Sequence, residues 1–148
     1  LGFLKLLHGT ALREKAEEYG YRSLPIPPYT VLETKWMSFI ELQNLSHMAE
    51  VLERFLESGR FAHALWYLTP LMHSPFRFWE GLCHTIRERD ARPLQRISQP
   101  DVYRYFLEYA IDAVPDVDSL QLCEMLVADF CENEHKNPPA FLKTGDTK

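Results

Sequence analysis

The sequence is short of cysteine, glycine and positive charge, and each shortage removes a class of protein. Three cysteines occur in 148 residues, Cys83, Cys123 and Cys131. An odd, widely spaced set builds no disulfide framework. All three lie in apolar helical patterns, where a thiol behaves as a small core residue, and a reducing, cytoplasmic setting is expected. Only 6 glycines are present, and they form neither a phosphate-cradling loop nor a Gly-x-Ser-x-Gly elbow. Lysine and arginine number 16 against 21 aspartates and glutamates, a formal charge of −5. No basic field results, so nucleic acid is not an expected partner. The apolar runs are far shorter than the ~20 residues that span a bilayer, so no membrane partner is expected either. "LGFLKLL" also lacks the basic leader and the small-residue cleavage site of a signal peptide.

Metal-ligand spacing is missing as well. The histidines, His8, His47, His63, His73, His84 and His135, form no His-Glu-x-x-His pair and accompany no cysteine pair. His73 and His84 flank one helical segment and read as solvated or packed. Glu14, Glu17 and Glu18 read as a solvated helix face. No catalytic residue and no metal ligand is therefore expected within the chain, and an independent hydrolase or metalloenzyme has no supporting constellation.

What is present is material for a core. The chain is 46% hydrophobic and 13% aromatic, enough to fold at this length. Leu1 to Leu7 is a short apolar run that reads as a strand covered on both faces, as in a parallel sheet. Lys5 stands out there, because a buried ammonium is costly unless paired. It either faces a pocket or snorkels along the strand edge. Thr10 caps a helix over "TALREKAEEYG", which Gly20 ends in the left-handed conformation. "SLPIPPYTVLETKW" breaks regular structure through Pro25, Pro27 and Pro28. Its apolar residues make it an ordered connector, with "YTVLET" extended.

From Ser38 the signals are helical. "SFIE" is a capping box, followed by an apolar stripe of Leu42, Leu45, Ala49, Leu52 and Leu56, widened by Met48 and Phe55. A second helix carries Phe61, Leu65, Leu68 and Met72 and is shortened by Pro70. Ser74-Pro75 starts a third, with Phe76, Trp79, Leu82, Cys83 and Ile86. Ser98 starts a fourth, with Val102, Tyr105, Phe106, Tyr109, Ala110 and Ala113 on one face. Asp116 or Asp118 caps a fifth, with Leu122, Cys123, Leu126, Val127 and Phe130 inside. Trp36, Trp66 and Trp79 read as core anchors. The fold class is thus mainly α, an antiparallel helical bundle preceded by one orphan strand–helix unit. The expected divisions are residues 1–22, a terminal βα unit; 23–37, the connector; 38–132, the helical domain; and 133–148, a flexible tail.

The order of these features resembles a known family. "LGFLKLLHGTALREKAEEYGY" is similar to the late-barrel segment of cobalamin-binding-type radical S-adenosylmethionine enzymes, with His8-Gly9-Thr10 where the common turn is Pro-Gly-Thr. "PPYTVLETKWMSFIELQNLSHMAEVLERFLESGRF" resembles the segment after the barrel in a subgroup with a C-terminal domain of unknown function. Its members are labelled as similar to anaerobic magnesium-protoporphyrin monomethyl ester oxidative cyclases. The positions that carry the likeness are Pro28-Tyr29, Val31-Leu32, Lys35-Trp36, Ser38, Leu42, Val51-Leu52 and Ser58-Gly59-Arg60-Phe61.

The resemblance implies a parent enzyme with a partial α/β barrel and a cobalamin-binding domain upstream in the same chain. That parent would hold a 4Fe-4S cluster and S-adenosylmethionine and run radical chemistry, on a tetrapyrrole-like substrate if the label applies. The cluster-binding Cys-x-x-x-Cys-x-x-Cys loop does not occur here, so no cofactor is expected in this fragment. Lys5, Gly9 and Thr10 are implied at the margin of the cofactor site in the full-length context only. The absent initiator methionine and the orphan strand favour a cut edge at residue 1 over the alternative, a stand-alone helical interaction module without cofactor. A fragment cut from an enzyme would also expose apolar surface and dimerise through it.

Overall fold

The structure is a computed structural model, which describes residues 2–144. It is mainly helical with one small antiparallel sheet. The chain forms two compact units, one up to Ala49 and one from Glu50 onward. The division falls inside a helix rather than at residue 38.

In the first unit, residues 2–7 form no regular strand. They make a single antiparallel bridge, Lys5 to Thr30, flanked by Leu6 N–H donating to the Tyr29 carbonyl at 2.9 Å and Val31 N–H to the Leu4 carbonyl at 2.8 Å. The expected two-sided burial is not observed: Leu6 is buried, whereas Leu4 is 44% and Leu7 50% exposed. The pairing partner lies within the chain, because the proline-rich turn reverses direction and returns Tyr29–Val31 alongside. The Pro27–Pro28 peptide in that turn is cis, and Tyr29 takes a positive φ of 57°.

Helix α1 covers only Ala11–Glu14 and buries nothing. A helix this short without a packed face has little to sustain it, so the chain continues in turns to Gly20. There the Gly20 N–H reaches the Glu17 carbonyl at 3.0 Å and the Tyr21 N–H the Ala16 carbonyl at 2.8 Å. With Gly20 at φ +62°, this is a Schellman closure. Strands β1 (Arg22–Ser23) and β2 (Val31–Glu33) then pair antiparallel.

Helix α2 (Phe39–Leu52) opens with the expected capping box. Glu41 Oε2 accepts from both the Ser38 N–H and the Ser38 hydroxyl at 2.8 Å, and these bonds lower the Glu41 pKa, the backbone one most. A π-helical turn, Glu53–Glu57, follows. Met48, Val51 and Phe55 form the buried side of this stretch, while Leu56 is 51% exposed.

The second unit continues with α3 (Ala62–Leu68), a 3₁₀ turn at Thr69–Leu71, α4 (Pro75–Arg89), a 3₁₀ turn at Leu94–Arg96, α5 (Gln99–Ala113), α6 (Ser119–Glu134) and α7 (Ala140–Thr144). Ser74, Ser98 and Asp118 cap α4, α5 and α6 through their side chains. The core is aromatic. Phe61 lies 4.4 Å from Tyr103 and 4.9 Å from Phe106, and Phe55 lies 4.8 Å from Phe61, centroid to centroid.

Several expected core positions lie elsewhere. Trp79 is buried, but Trp36 is 64% and Trp66 81% exposed. On α3 the buried residues are Ala64, Leu65 and Leu68, and at 100° per residue Trp66 projects from the opposite side. Phe76 is exposed and Phe78 buried. Cys131 is exposed, unlike Cys83 and Cys123. The segment 133–148 is not a tail throughout: α6 runs to Glu134, and α7 packs on α6 with Leu142 buried. Residues 145–148 of that expected tail, and Leu1 of the expected strand, lie outside the described residues.

Candidate functional site

Lys5, Gly9 and Thr10 were the residues singled out by sequence, and the structure gives each a definite surrounding. Lys5 is exposed, so its ammonium stays in water and the premise of a costly buried charge falls away. Gly9 sits at φ +75° with open space around it. Thr10 is committed to the backbone: its hydroxyl donates to the Leu7 carbonyl at 2.8 Å and accepts from the Arg13 N–H at 3.4 Å. Gly9 and Thr10 thus share one turn that launches α1. Arg13 fastens it, donating to the Leu6 carbonyl at 2.6 Å with its guanidinium 5.2 Å from the Tyr29 ring centroid. His8 meets that ring edge-on at 5.0 Å.

Sequence reasoning missed a second constellation, at the corner between the π-helical turn and α3. The α3 N-terminus has no local cap, because Phe61 occupies the capping position. Asp129 supplies one from α6. Its carboxylate, on a residue 1% exposed, accepts from the His63 N–H at 2.9 Å and the Ala64 N–H at 3.0 Å. Burial pushes the Asp129 pKa above its ordinary 3.8, more than the two N–H bonds pull it down. The same corner is held by the Tyr103 hydroxyl donating to the Arg60 carbonyl at 2.9 Å and by an Arg60–Glu134 ion pair. Burial raises the Tyr103 pKa, with Asp129 adding to it. His63 pairs with Glu132 at 3.2 Å. These bonds fix a corner and offer no activated nucleophile. The signal was in the sequence: position 129 falls on the apolar face that carries Leu122, Leu126 and Phe130, and a carboxylate on a buried face needs donors.

Two hollows flank this corner. One, of about 450 Å³, is lined by Glu50, Glu53, Arg54, Ser58, Arg60 and Gln95 among others. Arg54 donates to Gln99 Oε1 at 3.0 Å, while its Nε is buried without an acceptor. Desolvation lowers the Arg54 pKa, with the Arg60 charge adding to it. The other hollow, of about 790 Å³, is apolar, with Leu56, Gly59, Leu65, Trp66, Tyr67 and Pro70 along it.

The residues present do not fit an iron–sulfur cluster. Cys83 and Cys123 are buried, and burial pushes both thiols up, away from the thiolate that ligates metal. Among the described residues no group of three His, Cys, Asp or Glu side chains converges on a point. No helix among them is long and apolar enough to cross a membrane.

Comparison with known proteins gives one family. A family described as "Protein of unknown function (DUF4080)" matches residues 17–148. No curated protein and no solved structure matches.

Proposed function

The chain belongs to the DUF4080 family, and on that premise we propose that it is the non-catalytic C-terminal accessory region of a radical S-adenosylmethionine enzyme. In this reading the helical region covers the barrel of the parent or shapes its substrate site. The 4Fe-4S cluster, S-adenosylmethionine and cobalamin would be held by upstream domains, since the Cys-x-x-x-Cys-x-x-Cys loop that ligates such a cluster does not occur in this sequence. Radical chemistry in the parent, a cyclase-like oxidation if its substrate is of tetrapyrrole type, is the activity this reading attaches to it. The three free cysteines accord with a reducing, cytoplasmic setting.

One observation carries the reading. The family match begins at residue 17, inside the segment "LGFLKLLHGTALREKAEEYGY" that resembles the last barrel unit. A domain of unknown function that begins near the end of such a segment is the order that the resemblance implies. The alternative, a helical interaction module without cofactor, draws on a separate observation, the apolar hollow beside an exposed Trp66.

The test uses the coding sequence upstream of residue 1 and the full-length protein reconstituted anaerobically with iron and sulfide. A three-cysteine loop upstream, a cluster absorbance and formation of 5′-deoxyadenosine from S-adenosylmethionine are expected. An open reading frame that starts at residue 1, or a full-length protein that binds no iron, overturns the proposal in favour of the interaction module.

A further inference from the structure

Carboxylates and guanidiniums share the walls of the smaller hollow. Glu50 and Glu53 line it from the end of α2 and the start of the π-helical turn, Arg54 and Arg60 from that turn and its exit, and Gln95 from the 3₁₀ turn before α5. Its volume, about 450 Å³, is that of a small-molecule site. From this juxtaposition we propose that the hollow binds a small zwitterion, a molecule that carries both an ammonium and a carboxylate, as free α-amino acids do. Glu50 and Glu53 receive the ammonium, and Arg54 receives the carboxylate.

The carboxylate half rests on Arg54. Both its hydrogen bonds among the described residues, to Gln99 Oε1 at 3.0 Å and the Ile97 carbonyl at 3.5 Å, come from Nη2. Nε is buried and has no acceptor. A charged donor withdrawn from water without a partner is unfavourable. Burial lowers the Arg54 pKa most, the nearby Arg60 charge adds to that, and Glu134 opposes it only in part. Glu134 is itself paired with Arg60. A carboxylate beside Arg54 offsets both the lost water and the like charge, and the guanidinium fork fits a carboxylate bidentately.

The ammonium half rests on Glu50 and Glu53. Spacing of three residues places them on one helix face, and neither forms an ion pair with a described residue. An ammonium brings three donors and no acceptor, which suits two carboxylates. The two signs together select the ligand. A simple cation would satisfy the glutamates but add to the like charge around Arg54 and Arg60. A simple anion would satisfy Arg54 but meet the Glu50 and Glu53 carboxylates. A molecule with both groups a few atoms apart answers each wall and brings no net charge. Gln95 adds an amide that can donate and accept.

The inference stands whether or not the chain belongs to a radical enzyme. It is tested by titrating L-serine, L-glutamine and L-leucine separately into the full chain labelled with heavy nitrogen, followed by proton–nitrogen correlation spectra. At least one of these amino acids is expected to bind with submillimolar affinity and to shift the amides of Glu50, Arg54 and Gln95. For that amino acid, N-acetylation removes the ammonium charge and amidation removes the carboxylate charge. Each should weaken binding roughly tenfold or more. Glu50→Gln with Glu53→Gln should weaken the amino acid but not its N-acetyl form. Arg54→Gln should abolish binding, with circular dichroism to confirm that the variant is folded. The glutamate variant breaks no ion pair of the chain and tests the proposal by itself if Arg54→Gln does not fold. Binding of none of the amino acids, or shifts confined to other residues, overturns the proposal. So does an N-acetyl or an amide form that binds as tightly as its parent, which would make the hollow a site for an anion or a cation alone.

Discussion

A single buried carboxylate joins two helices in this chain. Asp129 replaces the cap that Phe61 cannot provide, accepting two amide N–H groups of α3 while anchored on α6. Asp129→Asn keeps the shape but turns an NH2 group toward one of those donors. Leaving a buried donor unsatisfied costs ~1–3 kcal/mol, and the variant should lose about that much in urea denaturation. The pH dependence has a definite sign. Burial raises the Asp129 pKa above 3.8 in the folded state, so the folded protein holds this proton to higher pH than the unfolded chain does. The stability that goes with it is full below the ordinary carboxylate range and is lost as pH rises through the raised value. The gap between wild type and Asp129→Asn should therefore narrow as pH rises through that window. His63 acts to lower the Asp129 pKa and Glu132 to raise it, both less than burial does, and their coupling disappears with the carboxylate in Asp129→Asn. A gap that widens instead would mean that the two N–H bonds outweigh desolvation.

Between elements, the tightest constraint is Gly81, in the middle of α4. A Cβ there would stand 2.1 Å from the Tyr109 hydroxyl oxygen and 3.0 Å from its ring carbon Cζ. Alanine normally stabilises a helix interior by ~1 kcal/mol over glycine, but overpacking costs ~1–3 kcal/mol. The clash should win: Gly81→Ala is expected to lower the thermal midpoint, and adding Tyr109→Phe should recover most of the loss. A stabilised single variant would show that the Tyr109 ring swings aside freely. This contact was not legible in the sequence, because it depends on how α4 meets α5. The caps were legible, since Ser38, Ser74, Ser98 and Asp118 act on amides two or three residues away. Helix faces were legible only to within about one position. On α5 the face of Val102, Phe106 and Ala110 was right, but Tyr103 and Leu107 are buried rather than Tyr105 and Tyr109. Apolar residues flank that stripe on both sides, so periodicity alone fits two faces. Tyr105 turns its hydroxyl to Asp90 at 3.4 Å instead.

At the scale of the whole chain, the residues that sequence put forward and those that structure brings together lie in different units. Lys5, Gly9 and Thr10 were conspicuous because of local pattern: an ammonium in an apolar run and a Gly-Thr turn. The corner around Asp129, Arg60 and Tyr103 joins positions more than forty residues apart, and no local pattern announces it. The same distribution predicts where the chain can be cut. The aromatic contacts among Phe55, Phe61, Phe78, Trp79, Tyr103, Phe106 and Phe130 all fall within the unit from Glu50 onward. The one element shared across the division is α2, whose capping box begins at Ser38. A chain beginning at Ser38 keeps that cap and the complete aromatic core, and should fold alone. It is expected to show a cooperative thermal transition and the near-ultraviolet dichroism of fixed Trp79 and Tyr103 side chains. Retained helical signal with that near-ultraviolet band lost would indicate a loosely packed state. In that case the first 37 residues would be needed to order the core, and the two units would be one cooperative structure.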